Sequence, residues 1–145
     1  MGPDDNNAIS DELMAAYKST SFEANTPVGL IKIRIDTKQP LIDLLLAELP
    51  IKSWAFITAH NPHSKELTTT ENAQRHLILM KDIVGDGFTA FEGAGIPDNS
   101  DWSPETSALI LGISLVEAKK LGMRYEQNAI VAGKLGCNAR LIETV

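Results

Sequence analysis

Apolar and polar residues along this chain switch repeatedly between a period of two and a period near 3.6, and the switches mark out an order of elements. Residues 22–24 and 30–35 read as two strands joined around Pro27 and Gly29; in the second, Ile31, Ile33 and Ile35 alternate with Lys32 and Arg34. Ser10, followed by Asp11 and Glu12, has the form of a capped start for a short helix through Tyr17. Pro40 suits the first turn of a helix through Leu49, which Pro50 stops, with Leu41, Leu44, Leu45 and Glu48 on one mostly apolar surface.

The run Trp54-Ala-Phe-Ile-Thr reads as a strand that ends abruptly in the polar loop His60-Asn61-Pro62-His63-Ser64. Thr68 and Glu71 have capping-box spacing, which predicts a helix over 68–84 with Ala73, Leu77, Met80 and Val84 as its core stripe and Gly85 as its left-handed stop. Residues 88–92 predict a strand, and 93–104, rich in Gly, Pro, Asp, Asn and Ser, a long loop. A buried strand follows over 106–111. Ser114 and Glu117 form a second capping-box pattern before a helix carrying Val116, Lys119 and Lys120, which Gly122 ends or interrupts. Residues 129–132 and 139–145 predict a terminal hairpin turning around Gly133 and Gly136. The order is helix, two strands, helix, strand, helix, two strands, helix, two strands. It predicts an α+β fold: a mixed sheet of six or seven strands packed with three or four helices, in one domain over 10–145 after a flexible stretch at 1–9.

Composition narrows the function classes. At 145 residues the chain is long enough for a core without staples, and its one cysteine, Cys137, rules out an internal disulfide and a multi-cysteine zinc site. That cysteine usage, with no signal-peptide pattern and no long apolar run, predicts a cytoplasmic protein that does not span a membrane. A net charge of −6 disfavours nucleic acid, whose binding depends on clustered Lys and Arg. Residues 112–145 carry 5 basic and 3 acidic groups, but Lys119, Lys120, Arg124, Lys134 and Arg140 are scattered as on an ordinary solvated face.

Chemistry concentrates where the Trp54 strand meets the Thr68 helix, because α/β proteins commonly bind ligands at strand carboxyl ends. His60 and His63 flank Asn61-Pro62 and could begin a metal site or supply a general base, with Glu105 as a further candidate acid or base; two imidazoles are too few for a metal site, and turn geometry accounts for them more simply. Ser64 lacks a nucleophile elbow, and Cys137 has no local catalytic signature. Gly93-Ala-Gly95 is not followed by a phosphate-binding helix and reads as turn glycines, so no cofactor is implied. Arg75, one turn after Glu71, suits either a helix-surface ion pair or, with Asn72, the capture of a carboxylate or phosphate.

Four segments carry a family resemblance: Trp-Ala-Phe-Ile-Thr-Ala-His-Asn-Pro-His-Ser at 54–64, Glu71-Asn72, Trp-Ser-Pro-Glu-Thr-Ser at 102–107, and Gln-Asn-Ala-Ile-Val at 127–131. Together they resemble a bacterial domain of unknown function, number 3293, over roughly 17–143. The most distinctive part of the pattern is Phe-Ile-Thr-Ala-x-Asn-Pro-x-Ser, in which His60 and His63 hold variable places. The resemblance implies a small bacterial cytoplasmic protein and a shared polar constellation, but no activity. It moves attention to Thr58, Asn61, Ser64, Asn72, Trp102, Glu105 and Gln127.

The leading expectation is therefore a small polar or anionic ligand. Asn61, Ser64 and Asn72 would hydrogen-bond it, Arg75 would attract an anionic group, Trp102 would cover it, and Glu105 with Gln127 would orient it. A hydrolase or transferase using the same pocket, with or without metal, is the second expectation. The third is a protein-interaction module in which these residues brace loops. The oligomeric state is left open.

Overall fold

The computed structural model describes residues 10–99, 101 and 103–144. The stretch 1–9, expected to be flexible, lies outside the described residues, as do Trp102 and Val145. Four α-helices are described: α1 (Asp11–Lys18), α2 (Pro40–Leu46), α3 (Thr69–Gly85) and α4 (Leu115–Arg124). Seven strands are described: β1 (Thr20–Thr26), β2 (Gly29–Ile33), β3 (Ser53–Thr58), β4 (Thr89–Pro97), β5 (Glu105–Leu111), β6 (Ala129–Lys134) and β7 (Arg140–Glu143). The fold is α+β, and its elements follow the expected order.

The strands form one sheet in the order β2-β1-β4-β5-β3-β6-β7. The six ladders between named strands are all antiparallel, so the sheet is not mixed as expected. Helical crossovers usually join adjacent parallel strands, but here none does: β2-α2-β3 passes over three strands and the other two over one each. The β3-α3-β4 crossover leaves room for β5, and the β5-α4-β6 crossover leaves room for β3; each gap is filled by a strand running the other way.

Both faces of the sheet are covered. Ile31, Ile33, Trp54, Phe56, Leu109 and Leu111 pack with Ile42 and Leu46 of α2 and with Tyr17 of α1. On the other face Ala55, Ile57, Ala108 and Ile110 pack with Leu79 and Ile83 of α3 and Ala118 and Leu121 of α4. Burial on two faces is why β3 and β5 read as continuous apolar runs rather than alternating ones.

Ser10 caps α1 by accepting the Leu13 amide, and Thr68 and Glu71 close a full capping box on α3. At Ser114 the hydroxyl accepts the Glu117 amide, so the cap of α4 is present there too. Several details differ from expectation. Helix α2 ends at Leu46 rather than Leu49 and buries Ile42 and Leu46, leaving Leu41 and Leu44 exposed. The buried side of α3 is Asn72, His76, Leu79 and Ile83; Ala73, Leu77 and Val84 face outwards, and Met80 is half-buried. Polar residues occupy the core-facing positions at the start of this helix, and that shifts the apparent phase of its apolar stripe. The left-handed residue after α3 is Gly87, not Gly85.

Gly93 and Gly95 are not turn glycines. Strand β4 continues through Pro97 and shortens the expected loop at 93–104, because the sheet requires bare backbone at this point: a Cβ on Gly93 would lie 2.1 Å from the carbonyl oxygen of Glu23 in β1. Gly122 lies inside α4, and Gly133 lies inside β6 against the Trp54 indole rather than in the hairpin turn.

Candidate functional site

Beyond β3 the chain leaves the sheet through Ala59 and His60 and enters a tight loop with a single 3-10 turn at Pro62–Ser64. Asn61, His63 and Ser64 all have left-handed backbones, with φ of 47°, 49° and 63°. Asparagine tolerates that region, but histidine and serine occupy it at a cost, and such residues persist only where their surroundings fix them. Here the fixing comes from the turn between α4 and β6. Glu126, itself left-handed at φ 59°, accepts the His63 amide through its carbonyl, and Asn128 Nδ2 donates to Ser64 Oγ at 3.0 Å. The His63 ring lies against Asn128 Oδ1 at 3.2 Å.

Asn61 is the hub. Its Oδ1 accepts the Leu67 amide at 3.0 Å and Asn72 Nδ2 at 2.9 Å, while its Nδ2 donates to Glu105 Oε2 at 2.9 Å. The Asn61 amide donates in turn to Asn72 Oδ1 at 3.0 Å, which clamps the loop to the first turns of α3. An asparagine side chain offers two donors and two acceptor positions, so among the described residues Asn61 has one N–H uncommitted. Thr58 Oγ1 donates to the Thr106 carbonyl at 2.8 Å and accepts the His60 amide at 3.1 Å, which fixes the exit from β3.

Arg75 and Gln127 act on backbone. Arg75 Nε donates to the Ala59 carbonyl at 2.6 Å, one terminal nitrogen donates to the Tyr125 carbonyl at 2.7 Å, and the other lies 3.5 Å from Glu126 Oε1. Its partners are thus carbonyls and Glu126, not Glu71, whose carboxylate accepts the Thr68 amide. Gln127 Nε2 donates to the carbonyls of His60 and Tyr125 at 3.0 and 3.1 Å. Both side chains satisfy the Tyr125 carbonyl at the C-terminus of α4, the negative end of a helix dipole.

The structure therefore brings Thr58, Asn61, Ser64, Asn72, Arg75, Glu105 and Gln127 into one hydrogen-bonded neighbourhood; Trp102 lies outside the described residues. It separates the two histidines. His63 faces Asn128, whereas the His60 ring meets His76 of α3 edge-on at 6.5 Å between centroids. Burial, then His76, then Arg75 lower the His60 pKa below its ordinary value, which favours a neutral ring. His76 is buried, with Nε2 2.8 Å from Glu92 Oε1.

Glu105 is the electrostatic exception. It is half-buried at the start of β5, and burial raises its pKa more than the Asn61 hydrogen bond lowers it. None of the ion pairs among the described residues includes it. Tyr17, outside the expected set of site residues, also belongs here. Burial, and secondarily the Glu105 charge, push its phenol up to about 12, and its hydroxyl donates to the Ala129 carbonyl at 3.4 Å. Nothing in the local pattern of α1 distinguishes Tyr17 from an ordinary core aromatic. Asn128, by contrast, adjoins Gln127 in a segment already conspicuous for its amides. Two shallow concavities, of about 100 and 180 Å³, lie elsewhere: one beside α4 at Phe88 and Leu121, the other between Met14 and Leu141.

A family model described as "Protein of unknown function (DUF3293)" matches residues 57–130. That span is over half of the chain and narrower than the 17–143 expected; it includes Thr58, Asn61, Asn72, Arg75, Glu105 and Gln127 but not Tyr17. No curated protein and no solved structure matches. The chain belongs to the DUF3293 family.

Proposed function

We propose that this DUF3293 member binds a small polar ligand at the carboxyl end of β3, over the 58–64 loop and beside Glu105. The observation that carries this reading is the run of left-handed residues Asn61, His63 and Ser64, held by side chains from α3, β5 and the α4–β6 turn. Strained backbone of this kind clusters at ligand sites, where it presents groups that a relaxed loop would turn away. The uncommitted Asn61 N–H and the Glu105 carboxylate are the groups presented. Because Arg75 is engaged with carbonyls and Glu126, the arrangement favours a hydrogen-bonding ligand over an anion. We also read the protein as a cytoplasmic one that does not use nucleic acid, on its net charge of −6 and single cysteine, and as bacterial on its family resemblance alone. No described helix is long and apolar enough to cross a membrane.

A thermal-shift panel of amines, amides, sugars, carboxylates and phosphates tests the reading, run on the wild type and on a His63→Gly/Ser64→Gly variant. Glycine fits the left-handed positions, so the variant should stay folded, but without the His63 and Ser64 contacts to Asn128 the loop is no longer held, and the response to whichever class binds should be lost. A response that the variant keeps in full would remove the loop from the site.

A second reading, a hydrolase or transferase, is favoured by the raised pKa of Glu105, a property that suits a general acid or base. Turnover of ester, amide or phosphoester substrates that disappears in Glu105→Gln would support it, and turnover unchanged in that variant would exclude Glu105.

A further inference from the structure

Glu105 lies in a setting that lacks its natural complement. A carboxylate withdrawn from water is normally paired with a cation or saturated with donors, because an isolated buried charge is costly. Among the described residues Glu105 has one neutral donor, Asn61 Nδ2 on Oε2, and no Lys, Arg or His partner.

The surroundings are aromatic. In the sheet register Glu105 lies opposite Gly95, and Gly95 lies opposite Phe22, so the three share one face on adjacent strands. With no side chain on Gly95, the Phe22 ring covers the gap: its Cδ1 lies 3.5 Å from where a Gly95 Cβ would stand. Tyr17 stacks on Phe22 with centroids 6.2 Å apart, and Phe56 meets Phe22 edge-on at 5.4 Å. Of these rings Tyr17 is the half-buried one, and its stacking on Phe22 places it along the face that Glu105 shares through Gly95. A carboxylate beside a partly accessible aromatic ring is the chemistry that holds organic cations, one group supplying charge and the other its π face.

We infer that the ligand of this site carries a protonated amine or guanidine, which pairs with Glu105 and packs against Tyr17 beneath the Asn61 loop. This deepens the function proposed above and rests on it. Asn61 fixes one carboxylate oxygen and leaves Oε1 for the cation. Tyr17 stays protonated at neutral pH, so it contributes a neutral ring and not a competing charge.

The test uses the full chain with ethanolamine, 1,4-diaminobutane, choline and methylguanidine as probes, and with acetate, phosphate and acetamide as the opposing panel at matched ionic strength. At about ten times its Kd, a binding amine should raise the melting temperature by about 5 °C. Glu105→Gln keeps an acceptor for Asn61 and should abolish the shift; Tyr17→Leu should reduce it. Glu66→Gln, a neutralised carboxylate at an exposed position, should leave it intact and so controls for the overall negative charge. The inference is overturned if no amine shifts the protein, if the shift survives Glu105→Gln, or if Glu66→Gln removes it equally. A response confined to acetamide or an anion, and lost in His63→Gly/Ser64→Gly, would overturn the cation while leaving the loop site standing. No response to either panel would count against both.

Discussion

Asn61 Nδ2 donates to Glu105 Oε2 at 2.9 Å, and this single bond joins the loop after β3 to the first residue of β5, 44 positions later. The same amide holds Asn72 and the Leu67 N–H through its oxygen. One side chain thus ties together a strand end, a helix start and a neighbouring strand, while its own backbone is left-handed.

Asn61→Ala should therefore be among the most damaging changes in the loop. It removes three side-chain hydrogen bonds and places a Cβ-bearing residue without asparagine's tolerance at φ 47°. Each lost bond takes a partner from a buried or half-buried group, and together they should cost about 2–4 kcal/mol. Urea denaturation measures the loss. Asn61→Asp keeps the two acceptor bonds but sets a second carboxylate against Glu105, so it should be destabilised more at neutral than at acidic pH.

Arg75→Lys should behave as a non-conservative change. The guanidinium reaches the Ala59 and Tyr125 carbonyls with separate nitrogens at 2.6 and 2.7 Å, and an ammonium cannot reproduce that fork. Losing one charge-assisted bond to a carbonyl should cost about 2 kcal/mol. Amide hydrogen exchange should then quicken at residues 60–64 and at the end of α4, and remain slow in β1 and β2. Uniform acceleration across the chain would show that Arg75 does not act locally.

What could be read from the sequence was local, and what could not was set by neighbours distant in the chain. Ser10, Thr68 and Ser114 announce helix starts through bonds made within three residues, and each cap is present. The true phase of α3 is hidden in the sequence because Asn72 and His76 face inwards onto Asn61 and Glu92, contacts invisible in a helical repeat. Gly93 and Gly95 resemble loop residues until β1 and β5 are placed on either side of them. At the site, the amides and Glu105 were conspicuous as residue types in a polar loop and its companion segments. That Arg75 and Gln127 spend their donors on Ala59, His60 and Tyr125 depends on the α4–β6 turn folding back beside β3.

Two glycine substitutions separate these kinds of constraint. Gly93→Ala sets a Cβ 2.1 Å from the Glu23 carbonyl oxygen, an overlap of backbone with backbone that no rotamer relieves. It should cost about 3 kcal/mol or more by forcing β1 and β4 apart. Gly85→Ala meets nothing within 4 Å and lies in the last turn of α3 without a positive φ. It should stabilise by about 0.5–1 kcal/mol through helix propensity. Thermal unfolding of the two variants checks both signs.

The pH dependence of Glu105 has a sign opposite to that of most carboxylates in folded proteins. Burial lifts its folded pKa above the ordinary 4.5, so between those values the folded chain holds a proton that the unfolded chain has released. Its contribution to stability is full below 4.5 and is lost as the pH rises through the folded pKa. Asp98, held low by Arg34, and Glu71, held low by the Thr68 amide, change in the other direction: their contributions are present at neutral pH and are lost on acidification. The whole-protein curve mixes these signs, so the informative quantity is the difference between wild type and Glu105→Gln. Glutamine keeps an acceptor for Asn61 and carries no charge at any pH. The variant should be the more stable protein at neutral pH, and its advantage should shrink as the pH is lowered towards 4. A constant difference from pH 4 to 8 would mean that the Glu105 charge is already well solvated, and the case for a cation that completes it would be lost.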